Sequence, residues 1–215
     1  GDENAYHHNM PAMHADFLYV HSVHFNTADR DGDVYSYLNF FNCNNYGPRM
    51  DIVAGSDACA TGAAAITSAA AGMILSVSEE LGLDLDVDEV RQILISNLDD
   101  VWLTADETEE AKTYPSSEGW DPFYGYGRIN VAKMVEATAA GEIPPVGRIL
   151  SPSWFELVDP GQGGSLEVAF EARAERADSY SWEMAWGQGW EPTDWTVLET
   201  GSGTSPLEDG RVTLD

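Results

Sequence analysis

The sequence has very few basic residues: 10 lysines and arginines stand against 37 aspartates and glutamates, which gives a formal net charge of −27 over 215 residues. Only Lys112 and Lys133 are lysines. A surface this acidic repels phosphate backbones and anionic headgroups, so we expect binding neither to nucleic acid nor to a membrane. Such a surface is heavily hydrated, and the repulsion between its charges is tolerable where salt screens them. This is typical of halophilic or secreted proteins.

Cysteine and long apolar runs are also scarce. Cys43 and Cys59 form either one disulfide or two buried thiols, and the sequence leaves both open. No run of eighteen apolar residues occurs, so we expect no bilayer-spanning segment. Gly1 begins without a basic or apolar leader, and we expect that any signal peptide has been removed or lies outside this chain. The 43% hydrophobic content nevertheless excludes a disordered acidic tail.

The composition changes near residues 141–147, where Glu142-Ile143-Pro144-Pro145-Val146 reads as a proline-stiffened linker. We therefore predict a first domain at 1–142, a linker at 143–150 and a second domain at 151–215. The first domain alternates predicted strands and helices, with strands at 17–25 and 51–54 and helices at 62–82, from Asp86 or Asp88 onward, and at 129–140. From Gly62 to Val77 this helix is Ala-rich and apolar all round, so we expect it to be buried on every side, and its polar continuation ends at the exit glycine Gly82.

The second domain shows only strand and turn signals. Alternating patterns predict strands at 166–170, 180–186, 195–198 and 211–214. Four or five strands at this spacing are typical of a β-sandwich, which usually needs about seven. We expect a sandwich-like domain that is either incomplete or minimal.

Three segments, in order, carry a resemblance to a known family. They are Gly1-Asp2-Glu3-Asn4 with Asn9-Met10-Pro11-Ala12 and the strand to Val23; Asn44-Asn45-Tyr46-Gly47-Pro48-Arg49-Met50-Asp51-Ile52-Val53-Ala54-Gly55; and Gly119-Trp120-Asp121-Pro122-Phe123-Tyr124-Gly125-Tyr126-Gly127-Arg128-Ile129-Asn130-Val131. The first resembles the Gly-Asn-Glu segment and Tyr-Pro-Ala turn of subtilisin-like serine peptidases. The second is similar to their Ser-Asn-Tyr-Gly stretch running into Val-Asp-Ile-x-Ala-Pro-Gly, and the third to the Gly-Tyr-Gly-x-Val-Asn-Ala entry to their last helix. The resemblance implies an α/β fold: the C-terminal half of a subtilisin-like parallel-sheet domain with a buried central helix, followed by a small all-β domain.

The position of the nucleophile departs from the family pattern. In the family the serine lies in Gly-Thr-Ser-x-Ala-(Thr/Ser)-Pro, at the start of a buried helix. Matching Ala58-Cys59-Ala60 to Gly-Thr-Ser places Ala60 at the nucleophile, which we prefer; matching Ala60-Thr61 to the family's Ala-Thr places Ala58 there. A methyl group cannot attack a carbonyl, and Ser56 and Thr61 are poor substitutes because neither stands at that position. The alanine is either an engineered replacement or a natural loss.

The resemblance also assigns the surroundings of that position. It implies that Asp2 occupies the oxyanion position, which is usually asparagine, and that Gly1, Asn9 and Pro11 contact substrate. The family's catalytic aspartate and histidine belong to motifs that would precede Gly1. We therefore expect the N-terminal part of the peptidase domain as a partner, upstream or as a separate chain, and a polypeptide as substrate. His21 and His24 alternate through a predicted buried strand, so at most one of them could face a cleft, and the five histidines are interpreted as solvated or core residues.

A weak calcium candidate follows the first strand. Asp29, Asp31 and Asp33 alternate around a glycine as calcium ligands do, but the glutamate expected at the twelfth position falls at Phe40. A solvated turn is the favoured interpretation. The resemblance implies no required cofactor, and structural calcium is common in the family.

Together these residues predict part of a secreted, extracellular subtilisin-like serine endopeptidase that is inactive because alanine replaces its nucleophile. The alternative is a pseudopeptidase that serves as a scaffold or peptide-binding module in an extracellular assembly.

Overall fold

A computed structural model of the chain describes residues 14, 16–25, 36–37, 45–56, 58–102, 114–153, 156–159, 161, 164–189 and 192–215. The chain divides into two units, Gly1–Glu142 and Ile143–Asp215. In the described residues the first unit combines helices with a mixed sheet, and the second contains antiparallel sheets. The predicted combination of an α/β domain with an all-β domain is confirmed at this level.

Within the described residues, the sheet of the first unit has five strands in the order β2-β1-β3-β5-β4. Their bounds are β1 Val20–Phe25, β2 Ser36–Tyr37, β3 Ile52–Gly55, β4 Leu98–Asp99 and β5 Arg128–Ile129. Strands β1, β3 and β5 are parallel, as expected, whereas β2 and β4 are antiparallel to their neighbours. The sheet is therefore mixed: its central strands are parallel, and two-residue strands run antiparallel beside β1 and β5 at its edges.

Helix α1 (Cys59–Leu81) buries one side only. Ala63, Thr67, Ala70, Ile74 and Ser78 recur every three or four residues, are at most 5% exposed, and form the face that packs on β1, β3 and a later helix. On the two flanks of this face, Met73 and Leu75 are 49% and 48% exposed. The expectation that this helix is buried on every side is wrong here, because the described elements cover only one of its faces.

Two shorter helices complete the described part of the first unit. Helix α2 (Val87–Ser96) begins with a capping box, in which Asp86 accepts from the Glu89 N–H at 2.8 Å and Glu89 accepts from the Asp86 N–H at 3.1 Å. Of the two predicted caps, the structure thus selects Asp86. Helix α3 (Val131–Ala140) is capped by Asn130 and ends at Gly141, which adopts a left-handed conformation.

The sheet face opposite α1 carries an apolar core. Tyr19 and Val23 of the β1 segment, Met50, Val53, Val101 and Tyr124 form this cluster, and the rings of Tyr114 and Phe123 pack against it. Side chains alternate along a strand, so residues 19, 21 and 23 share this face while Ser22 lies towards α1. The two faces of β1 are therefore buried against different parts of the chain.

Hydrogen bonds join the second of the resembling segments directly to the third. The Tyr126 N–H donates to the Asp51 carbonyl at 2.9 Å, and the Trp120 indole donates to the Met50 carbonyl at 2.8 Å. Gly125 fits between them with φ of +62°, where a Cβ would lie 2.5 Å from the Asp51 carbonyl oxygen. Only glycine tolerates both that backbone conformation and that approach.

A buried ion cluster closes the start of β3. The Asp51 carboxylate accepts from the Tyr19 backbone N–H at 2.7 Å and from Arg91 of α2 at 3.3 Å, and Arg49 lies 4.0 Å away. Burial raises the pKa of Asp51, while Arg91, the Tyr19 N–H and Arg49 oppose that rise. Arg49 also donates to the carbonyls of His14 and Phe17. The cluster thereby ties β1, β3 and α2 together.

The second unit contains a three-stranded sheet, β10-β7-β6, and a two-stranded sheet, β8-β9. Their bounds are β6 Val146–Ser151, β7 Leu166–Arg173, β8 Tyr180–Trp186, β9 Thr196–Gly203 and β10 Leu207–Leu214. The stretch at 143–150 that reads as a linker contains most of β6, which pairs with β7. Phe170 and Trp182 meet edge to face at 4.8 Å between the sheets, and Gly210 and Gly201 provide the space beneath the two rings.

Candidate functional site

The candidate site is the junction between β3 and α1. Strands β1 and β3 run parallel, and the Ser56 N–H donates to the Val23 carbonyl at 3.1 Å, so the pairing continues to the end of β3. After that bond the chain needs only a short connection before α1 begins at Cys59. The carboxyl end of a parallel strand and the N-terminus of the next helix thus meet at one edge of the sheet, where α/β proteins commonly place their sites.

Both alanines predicted at the nucleophile position lie at this junction. Ala58 is the N-cap of α1 and is exposed, while Ala60 lies in the first turn and is half-buried. Neither carries a polar side-chain atom, so neither provides an attacking oxygen. The choice between the two registers stays a prediction.

Two hydroxyl groups lie close to these alanines. Ser56 folds back on the helix: its Oγ accepts from the Ala58 N–H at 3.1 Å, and a Cβ on Gly62 would lie only 2.0 Å from that oxygen. Thr61 lies in the first turn of α1 and is exposed. Ser56 therefore acts as a local cap for the backbone, and Thr61 is the hydroxyl that solvent reaches directly.

The first turn of α1 carries no acidic side chain. Ala58 makes no side-chain capping bond either, whereas α2 has Asp88 and Glu89 in its first turn. The first N–H groups of a helix lack partners within the helix and carry a partial positive charge. Chemically, such an end can stabilise a developing negative charge nearby, but it supplies no nucleophile and no base.

The remaining predicted site residues lie outside the described residues. These are Gly1, Asp2, Asn9 and Pro11 of the oxyanion and substrate assignments, Asp29, Asp31 and Asp33 of the calcium candidate, and Cys43. The side chain of Cys59 is also outside them, so the disulfide stays a prediction. Among the residues that the structure does describe, no group of three or more His, Cys, Asp or Glu side chains could hold a metal ion.

The sequence analysis missed two features of the sheet. The first is the Arg49–Asp51–Arg91 cluster, for which charged residues beside an apolar strand were the available signal. The second is the isolation of His21, whose imidazole is 1% exposed and whose Nε2 has no hydrogen-bond partner. A histidine in an apolar strand signals burial, but only the structure shows which of its atoms is left without a partner.

By length and composition, one described helix could cross a membrane: residues Ala60–Leu81 of α1. The sequence analysis expected no such segment. Its inner face packs on β1 and β3.

Comparison with known proteins adds no relative: no protein-family model matches the chain, and no curated protein matches it.

Proposed function

We propose that this chain is the C-terminal part of the catalytic domain of a secreted subtilisin-like serine endopeptidase, and that it is inactive because alanine stands at the nucleophile position. The observation that carries the proposal is the junction of β3 and α1, where the helix begins soon after a central parallel strand and has Ala58 and Ala60 at its start.

The packing of the resembling segments supports the fold assignment. The strand of the first segment, β1, pairs in parallel with β3 of the second, and β5 of the third pairs in parallel with β3 on its other side. Segments that are distant in sequence therefore form adjacent strands of one sheet. An accidental likeness of three short motifs would not require this arrangement.

The exposed side of α1 is an argument for a partner that covers it. The helix carries no charged residue before Glu79, although the chain has a net charge of −27, and Ile66, Met73 and Leu75 are partly exposed on the two flanks of its exposed side. Proteins rarely leave an uncharged apolar face of this length in water. We propose that the N-terminal part of the peptidase domain covers this face and supplies the catalytic aspartate and histidine.

A bilayer is the competing occupant of the same face. In the proposal, α1 is a domain helix, because its inner face packs on a sheet. Vesicle flotation distinguishes the two. The proposal predicts that the protein carrying its N-terminal part does not float with neutral phospholipid vesicles, and flotation that depends on Leu75 would contradict it.

The catalytic test uses this chain produced together with the polypeptide encoded upstream of Gly1. A fluorophosphonate probe, which labels activated serines, should not label the unchanged protein and should label the Ala60→Ser variant. Ala58→Ser is the matched control and should stay unlabelled. Labelling of the unchanged protein that Thr61→Ala abolishes would overturn the claim of inactivity. A correctly folded Ala60→Ser variant that neither reacts nor cleaves an unstructured substrate would instead support the pseudopeptidase alternative.

The partner test uses the outer face of α1. Leu75→Glu should weaken association with the N-terminal polypeptide about tenfold or more, because burying a leucine contributes roughly 1.5–3 kcal/mol. Val87→Glu is the control, since Val87 is 79% exposed on α2, away from that face. Equal binding by both variants would contradict the assignment of the face.

A further inference from the structure

His21 lies in the core of the first unit, and no charged partner of its ring occurs among the described side chains. It lies in β1, which is flanked by β2 and β3, and it shares the core face with Tyr19 and Val23. Its side chain is 1% exposed. The imidazole is therefore shielded from water by the sheet and by the aromatic cluster that covers this face, which is formed by the rings of Tyr46, Tyr114 and Phe123.

The hydrogen bonds of His21 define its protonation. Nδ1 lies 3.2 Å from the Ser22 carbonyl oxygen, and a carbonyl oxygen only accepts, so Nδ1 carries the hydrogen. In the neutral ring Nε2 is then a bare nitrogen, and it has no hydrogen-bond partner. Any further proton on this ring must go to Nε2, inside the core.

Two aspartates near this core, Asp51 and Asp121, make hydrogen bonds to groups other than His21. At the start of β3, Asp51 bonds Arg91 and the Tyr19 N–H. In the 121–125 segment, Asp121 accepts from the N–H groups of Phe123 and Tyr124.

Among the residues that the structure describes, the neighbouring elements add aromatic rings and one arginine. Tyr46 and Arg49 come from the segment before β3 and Tyr114 from the segment before the third motif, and α1, on the opposite face, is uncharged up to Glu79. Tyr37 of β2 is paired with His24, and its side chain is outside the described residues. Burial is the largest cause that lowers the pKa of His21, to about 4, and the carbonyls of Ser22 and Phe123 only partly oppose it.

We propose that His21 makes the first unit sensitive to acid. A proton on its buried Nε2 separates β1 from the aromatic cluster that covers it, so the equilibrium shifts towards an open first unit when the medium is acidified. Protonation of His21 therefore lowers the stability of the folded unit in acidic media. This effect does not depend on the proposed peptidase assignment.

The direction follows from proton linkage. The pKa of His21 is about 4 in the folded chain and 6.5 when the ring is exposed to water, so between these values the unfolded state binds more protons. Stability from a neutral His21 is complete above pH 6.5 and is lost progressively as the pH falls to 4. The two pKa values differ by 6.5 − 4 = 2.5. The folding equilibrium constant therefore falls by about 300-fold in total, a limit that is reached well below pH 4.

The test compares the full chain with two variants. His21→Asn keeps an amide N–H that can donate to the Ser22 carbonyl but does not titrate, and His14→Asn removes an exposed histidine. Hydrogen exchange of β1 and β3 amides, followed from pH 7 to pH 4 at constant high salt, reports the opening equilibrium. Over this range the folding equilibrium constant of the unchanged chain and of His14→Asn should fall about 100-fold more than that of His21→Asn. The surface carboxylates are common to all three proteins, so their effect cancels.

Equal pH dependence in all three proteins would overturn the proposal. Should His21→Asn fail to fold, the NMR signal of the His21 ring in the unchanged chain provides a second test. The proposal predicts a neutral ring in the folded protein at pH 5, and a ring that titrates near pH 6.5 without loss of structure would also overturn it.

Discussion

Gly125 offers the sharpest test of how the resembling segments fit together. Its φ of +62° costs a residue with a Cβ about 1–2 kcal/mol. A Cβ would also lie 2.5 Å from the Asp51 carbonyl oxygen and 2.9 Å from the Met50 carbonyl oxygen, so backbone would have to move. Because overpacking costs a further 1–3 kcal/mol or so, Gly125→Ala should destabilise the first unit by about 3 kcal/mol.

Gly141→Ala is the matched control. Gly141 has φ of +71°, but nothing lies within 4 Å of its added Cβ, so this variant carries the backbone cost alone, about 1–2 kcal/mol. Hydrogen exchange of the β3 amides measures both variants in the intact chain. Equal losses in the two variants would refute the claim that the third segment packs tightly on the second.

Two further substitutions probe the two units separately. Asp51→Asn leaves Arg49 and Arg91 without their buried carboxylate and should destabilise the first unit by about 3 kcal/mol in urea unfolding, whereas Asp16→Asn, on a side chain that is 63% exposed, should change little. Gly201→Ala places a Cβ 2.5 Å from the Trp182 ring and should speed hydrogen exchange in β8 and β9 by a factor that corresponds to about 1–3 kcal/mol. Gly147→Ala in β6 is its control and should not speed exchange, because open space surrounds the added Cβ. Equal effects within either pair of variants would contradict the packing described.

Elements with a clear local cause could be predicted from sequence. Asp86 and Asn130 precede helices at positions where side-chain oxygens cap backbone N–H groups, and Gly82 ends α1 in the left-handed conformation. The alternation at 180–186 predicted β8 with the bounds that the structure gives. In each case neighbouring residues determine the backbone, so no long-range contact is needed.

Properties that depend on distant residues could not be predicted. The alanine-rich composition of α1 indicates that both faces favour burial, but which face is covered depends on which other elements are present. The antiparallel edges β2 and β4 are two-residue strands without a pattern of their own. At the site, the sequence places Ala58 and Ala60 at the helix start, yet their relation to Asp2 requires the position of a segment outside the described residues.

The distance between Asp2 and the start of α1 tests the central claim most directly. The account places both at one catalytic site, so Asp2→Cys and Ala60→Cys, introduced together after Cys43 and Cys59 are replaced by serine, should be joined by a short dimaleimide in the folded chain. Asp2→Cys with Leu75→Cys is the control, because position 75 lies about 22 Å further along the helix. A link between 2 and 60 but not between 2 and 75 is the predicted result. The absence of the 2–60 link in a folded chain, with both cysteines reactive, would contradict the subtilisin-like assignment.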